Sequence, residues 1–169
     1  PENHYVRIKA DNRLDADGTL RGTFTLTAEG QSDSNIRRIF TTGFQSEWKS
    51  TMERQLLAIS PKARLLSVDY GKNPKDYQAA PIKITFRYEI PDYALRGEGE
   101  MFFRPMVMNN LYNQVRSYIW IDTSVENRKY GFKDGCSRLV ELDETIQLPA
   151  GYKLVSAAKD ETMQGVGAD

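Results

Sequence analysis

Cysteine and histidine are almost missing: Cys136 and His4 are single examples in a chain of 169 residues. One cysteine closes no internal disulfide, and one Cys with one His cannot furnish the four N and S donors of a structural zinc site. An excess of either charge is missing too. Lys+Arg and Asp+Glu stand at 23 each, for a formal net charge of +0, so no overall field recommends nucleic acid or an anionic membrane as partner. No apolar run approaches the ~20 residues of a spanning helix, and the N-terminus has no basic-then-apolar leader pattern. Nor is there a G-x-S-x-G elbow, a phosphate-binding loop, a dinucleotide fingerprint or an H-E-x-x-H pair. The opening "PENHYV" lacks an initiator methionine, so the expectation is a piece of a longer polypeptide, and the missing leader does not speak for the cytoplasm.

What the chain does contain is alternation. In "YVRIKA" (5–10), Val6, Ile8 and Ala10 alternate with Tyr5, Arg7 and Lys9, and "LRGTFTLTA" resumes the period with Leu20, Phe24 and Leu26. The Asp-Gly in "DADGTL" between them predicts a hairpin. The period then lengthens. Ile36, Ile39, Phe40 and Phe44 fall at helical spacing, with Asp33 or Ser34 as the cap and Gly43 as the stop. Trp48, Met52, Leu56 and Ile59 repeat along a second helix ended by Pro61. Period two returns in "IKITFRYEI", where Ile82, Ile84, Phe86, Tyr88 and Ile90 face one way. Further strands are expected in "ARLLSVDY", "GEMFFR", "VRSYIWI", "LVELDETIQL" and "YKLVSA". The predicted architecture is mainly β (α+β): an antiparallel β-sandwich of about eight strands with a helical hairpin inserted after the second strand. Residues 1–160 form one domain, with the helical insertion at about 33–60 and a flexible tail at 161–169.

Candidate chemistry is sparse. Cys136, in "KDGCSR", sits in a turn as a nucleophile does on an elbow, but a thiolate needs a base, and the one histidine is His4 at the far end of the chain. A buried, unreactive thiol is the expectation. Asp15, Asp17 and Gly18 match part of a calcium loop, yet Arg13 and Phe24 occupy its first and twelfth positions, so the residues read as a hairpin turn. Glu98 and Glu100 could pair as glycosidase carboxylates, but the solvated side of a strand explains them as well. No cofactor and no metal is expected. One surface remains: Arg116, Tyr118 and Trp120 share a face if "VRSYIWI" is a strand, which would suit a glycan or a peptide. Core packing explains the same two rings.

The ordered series "LDADGTLRG", "NIRRIF", "SPKARLLSVDY", "GEMFFRP" and "DETIQLPAGYKLV" resembles the β-rich C-terminal domain of unknown function that follows the transglutaminase-like core in bacterial envelope proteins. The resemblance spans residues about 4–155. Where that family often carries Arg-x-Tyr-Pro and an apolar residue, this chain has Arg128, Tyr130, Gly131 and Phe132. The resemblance implies a non-catalytic accessory domain of a larger transglutaminase- or protease-like protein, periplasmic or secreted, that packs against the core or presents substrate to it. Its partners would be other domains of the same polypeptide. The catalytic residues of such proteins lie in the preceding core, so none is carried over to this chain.

Overall fold

A computed structural model describes residues 3–79, 81–107, 129 and 139–162. Strands β1 (Tyr5–Leu14) and β2 (Leu20–Glu29) form the expected hairpin. Its turn is closed by Asp15 N–H to Thr19 O and Gly18 N–H to Asp15 O, both 2.9 Å. Asp17 accepts the Thr19 N–H at 2.9 Å, and that backbone hydrogen bond holds the Asp17 carboxyl below its ordinary pKa. Two helices follow, α1 (Gln31–Thr41) and α2 (Trp48–Leu57), then strands β3 (Arg64–Asp69), β4 (Ile82–Ile90), β5 (Leu95–Arg96), β6 (Met101–Phe102) and β7 (Leu139–Gln147).

Five strands make one sheet in the order β3-β4-β2-β1-β7, and β5 pairs with β6 separately. All neighbours in the large sheet are antiparallel except β1 and β7, which run parallel with Tyr5 opposite Leu139 and Arg13 opposite Gln147. The sheet is therefore mixed, a correction to the all-antiparallel expectation. Seven strands lie among the described residues. "YKLVSA" is exposed and without regular structure rather than a strand, and "VRSYIWI" lies outside the described residues, as does the tail from 163 onward.

The alternation seen in the sequence becomes two unlike faces. Val6, Ile8, Ala10 and Leu14 of β1, Leu20, Phe24 and Ala28 of β2, and all five apolar residues of β4 are buried on one side. Phe24 stacks on Phe86 at 4.4 Å between ring centroids. On β3 a bulge between Leu65 and Ser67 inserts an extra residue, so Leu65 and Val68 both pack against the core while Leu66 is half exposed. Burying one large apolar side chain is worth roughly 1.5–3 kcal/mol, so this face holds the sheet to its cover.

That cover includes the two helices. On α2, Trp48, Met52, Leu56 and the following Ile59 are buried, as the spacing predicts. On α1 the expectation needs correcting: Ile36 and Phe40 are buried, but Ile39 is exposed and Phe44 is 76% exposed. The helix also begins earlier than the Asp33 or Ser34 cap would place it. Gly30, at φ 64, precedes Gln31, and the Gln31 N–H donates to His4 Nδ1 at 3.1 Å. A side chain at position 30 would collide with Asn3 and His4, so glycine there serves both a left-handed backbone and a close chain crossing.

Asp33, freed from capping, makes a buried clamp. Arg37, 2% exposed, donates Nε to Asp33 Oδ2 at 2.6 Å and Nη1 to Pro74 O at 3.1 Å. The other Asp33 oxygen accepts the Ile82 N–H at 2.7 Å. One ion pair thus joins α1, the loop before β4 and the start of β4.

Candidate functional site

Two polar centres lie near the middle of the sheet. The first is on the packed side, in the row Asn12, Gly22 and Tyr88 set by the strand register. Tyr88, fully buried, donates its hydroxyl to Asn12 Oδ1 at 2.5 Å. Asn12 Nδ2 donates to Glu144 Oε1 at 2.7 Å. The same carboxylate accepts the Met106 N–H at 3.2 Å and the Val107 N–H at 2.8 Å. Gly22 makes this possible. A Cβ there would overlap the Asn12 carboxamide and the Asp11 carbonyl, so the missing side chain leaves room for Asn12 to lie across β2 and reach Tyr88. Burial pushes the Tyr88 hydroxyl well above its ordinary pKa, and the nearby Glu144 charge adds to the rise while the Asn12 hydrogen bond opposes it. Tyr93 is raised by the same two causes, burial first and Glu144 second. The donors around Glu144 match its lone pairs, so this centre serves chiefly to pin β7 and residues 106–107 to the sheet.

The second centre is on the outward side of the same strands, a shallow hollow of about 530 Å3. Small residues form its floor: Thr23 on β2 and Thr145 on β7 lie in one register row with Asp11 and Arg87. Long residues form its walls, namely Arg13, Arg21, Arg87 and Leu66. Two of the three arginines are already engaged. Arg21 pairs with Asp15 and, at 3.3 Å, with Glu89. Arg13 reaches Asp15 at 2.8 Å, and Arg64 shares Glu89 at 3.2 Å. Arg87 and Asp11 make no hydrogen bond or ion pair among the described residues. Chemically the hollow offers one unanswered guanidinium, one unanswered carboxylate, the Thr23 hydroxyl between them, and the Thr145 hydroxyl and Gln147 amide beyond the carboxylate.

Arg116, Tyr118 and Trp120, and also Cys136, lie outside the described residues. His4, the one candidate base, spends Nδ1 on the start of α1 and its carbonyl on the Leu139 N–H at 3.0 Å. Asp15 is held between Arg13 and Arg21, and Asp17 by Thr19. Glu98 and Glu100 sit on the exposed β5–β6 turn, not two apart along a strand, where Gly97 N–H meets Glu100 O at 2.9 Å. Among the described residues no three His, Cys, Asp or Glu side chains gather as metal ligands, and no helix is long and apolar enough to cross a membrane.

Sequence reasoning missed both polar centres. Asn12 and Glu144 occupy inward positions of their strands, and polar residues at inward positions, with Asn12 opposite Gly22, are the signal that could have found them. Arg87 and Asp11 read only as the wet side of strands. Compared with known protein families, characterised proteins and solved structures, the chain matches none.

Proposed function

We propose that this chain is a non-catalytic accessory module that acts by contact with other domains of the same polypeptide. The parent in this reading is a periplasmic or secreted protein with a transglutaminase- or protease-like core, following the resemblance of its ordered sequence phrases. The observation that carries the contact is the β5–β6 pair. Leu95 and Phe102 are cross-strand partners, 74% and 61% exposed, and stand side by side on a short ribbon. Apolar side chains presented together in this way suit a contact between domains, which commonly buries ~600–1,500 Å2. In the same reading the five-stranded sheet is one layer of a sandwich, β5–β6 belongs to the second, and α1 with α2 is a hairpin joined through the Phe40 and Trp48 rings, 5.2 Å apart.

The test begins with the coding sequence upstream of Pro1. A Cys, His and Asp core encoded there would be expressed alone and titrated with this chain by calorimetry. Saturable binding that falls at least about tenfold in Leu95→Glu/Phe102→Glu is expected. A core that binds neither form, or an upstream sequence with no such core, would overturn the reading.

A further inference from the structure

The outward hollow is independent of the β5–β6 contact, and its charges constrain what it can hold. Arg13 and Arg21 are engaged by Asp15 and Glu89, so the guanidinium of the hollow left for an incoming anion is that of Arg87. A guanidinium presents a planar fork of donors that matches a carboxylate. Asp11 stands two strands away in the same row, about 10 Å at the backbone from the usual spacing of neighbouring strands. An ionised carboxylate only accepts hydrogen bonds, so the part of the ligand that meets Asp11 must donate. Thr23 lies between Arg87 and Asp11, and Thr145 and Gln147 lie beyond Asp11 on β7; all three offer groups that both donate and accept.

Three simpler ligands fit less well. A bare oxyanion would meet Arg87 but leave Asp11 facing it with like charge. A neutral sugar would satisfy the threonines and Asp11 and leave the guanidinium unanswered. A polyanion such as a nucleic acid would meet Asp11 and, along the same face, Glu141 and Asp143 set against Arg7 and Lys9, a row with no net positive charge to hold it. A ring that carries a carboxylate at one end and hydroxyls at the other satisfies every group. We infer that the hollow binds an acidic sugar, a uronic acid or its oligomer, with the carboxylate on Arg87 and the ring hydroxyls on Asp11 and the threonine floor.

The probe is D-glucuronate, titrated into the full chain and followed through backbone amide and arginine side-chain NMR shifts, with acetate and glucose titrated alongside. Saturable shifts should cluster at Thr23, Arg87 and Thr145 with glucuronate, and acetate and glucose should each bind at least about tenfold more weakly. Arg87→Gln should lose at least about tenfold in affinity and Asp11→Asn less, while Arg54→Gln on α2 should change nothing. Because Arg87 and Asp11 are both exposed, the variants keep the native amide spectrum elsewhere. No saturable shift with glucuronate up to its solubility limit overturns the proposal. So does acetate binding as tightly as glucuronate, which would make the hollow a site for an adventitious ion only, or an unchanged affinity in Arg87→Gln.

Discussion

The two faces of the sheet use the same residue types in opposite ways. On the packed side, Arg37, Asn12 and Glu144 are each surrounded by partners, and each joins segments distant in the chain. On the outward side, Arg7 pairs with Glu141 in plain solvent, both about half exposed, and Arg87 pairs with nothing described. A polar group in the interior must be matched because water cannot rescue it, whereas one outside is free to wait for a ligand. Polar residues in the packed layer therefore specify the fold, and those outside are available for recognition.

Breaking the inner layer should cost most. Arg37→Ala leaves the part-buried Asp33 carboxylate beside an emptied space and without its counter-charge, and urea denaturation should show a loss of about 3 kcal/mol. Gly22→Ala comes next. The added methyl pushes Asn12 off Tyr88, and thermal unfolding should report about 1–3 kcal/mol of destabilisation. A pH series sharpens the same contrast. Burial raises the folded pKa of Tyr88 above the ordinary tyrosine value, so its neutral form is favoured by folding. That contribution is complete below about pH 10 and declines as the unfolded tyrosine ionises, at up to about 1.4 kcal/mol per pH unit. Absorbance at 295 nm should show Tyr88 ionising only together with alkaline unfolding. A tyrosine that titrates normally in the folded state would remove burial as the cause. Arg7→Gln, on the outer layer, should change stability by less than about 1 kcal/mol, and salt should erase even that.

How much of this was legible in the sequence follows the same division. Alternation located β1, β2 and β4 and named their packed residues, because apolar side chains at period two leave one solution for which side faces in. Spacing found α2 equally well. It overreached on α1, where Ile39 and Phe44 continue the apolar pattern but stay exposed. It also read "YKLVSA" as a strand, since local propensity cannot tell whether a neighbour exists to pair with. The parallel union of β1 with β7 was out of reach, because register between segments so far apart leaves no local mark. Of the candidate site, the threonines and charges were visible only as a wet face. Their arrangement as floor and wall depends on which strands lie side by side.

That parallel union also sets an order of events. Arg7 and Glu141 are 134 positions apart, so a nascent chain that has already formed the β1–β2 hairpin must carry β1 with one side unpaired until nearly all of the described strands have been made. An open edge on a ten-residue strand is a template for pairing with another molecule. The late arrival of β7 closes it. During synthesis, then, a vulnerability to misassembly lies at β1, and its relief comes with β7.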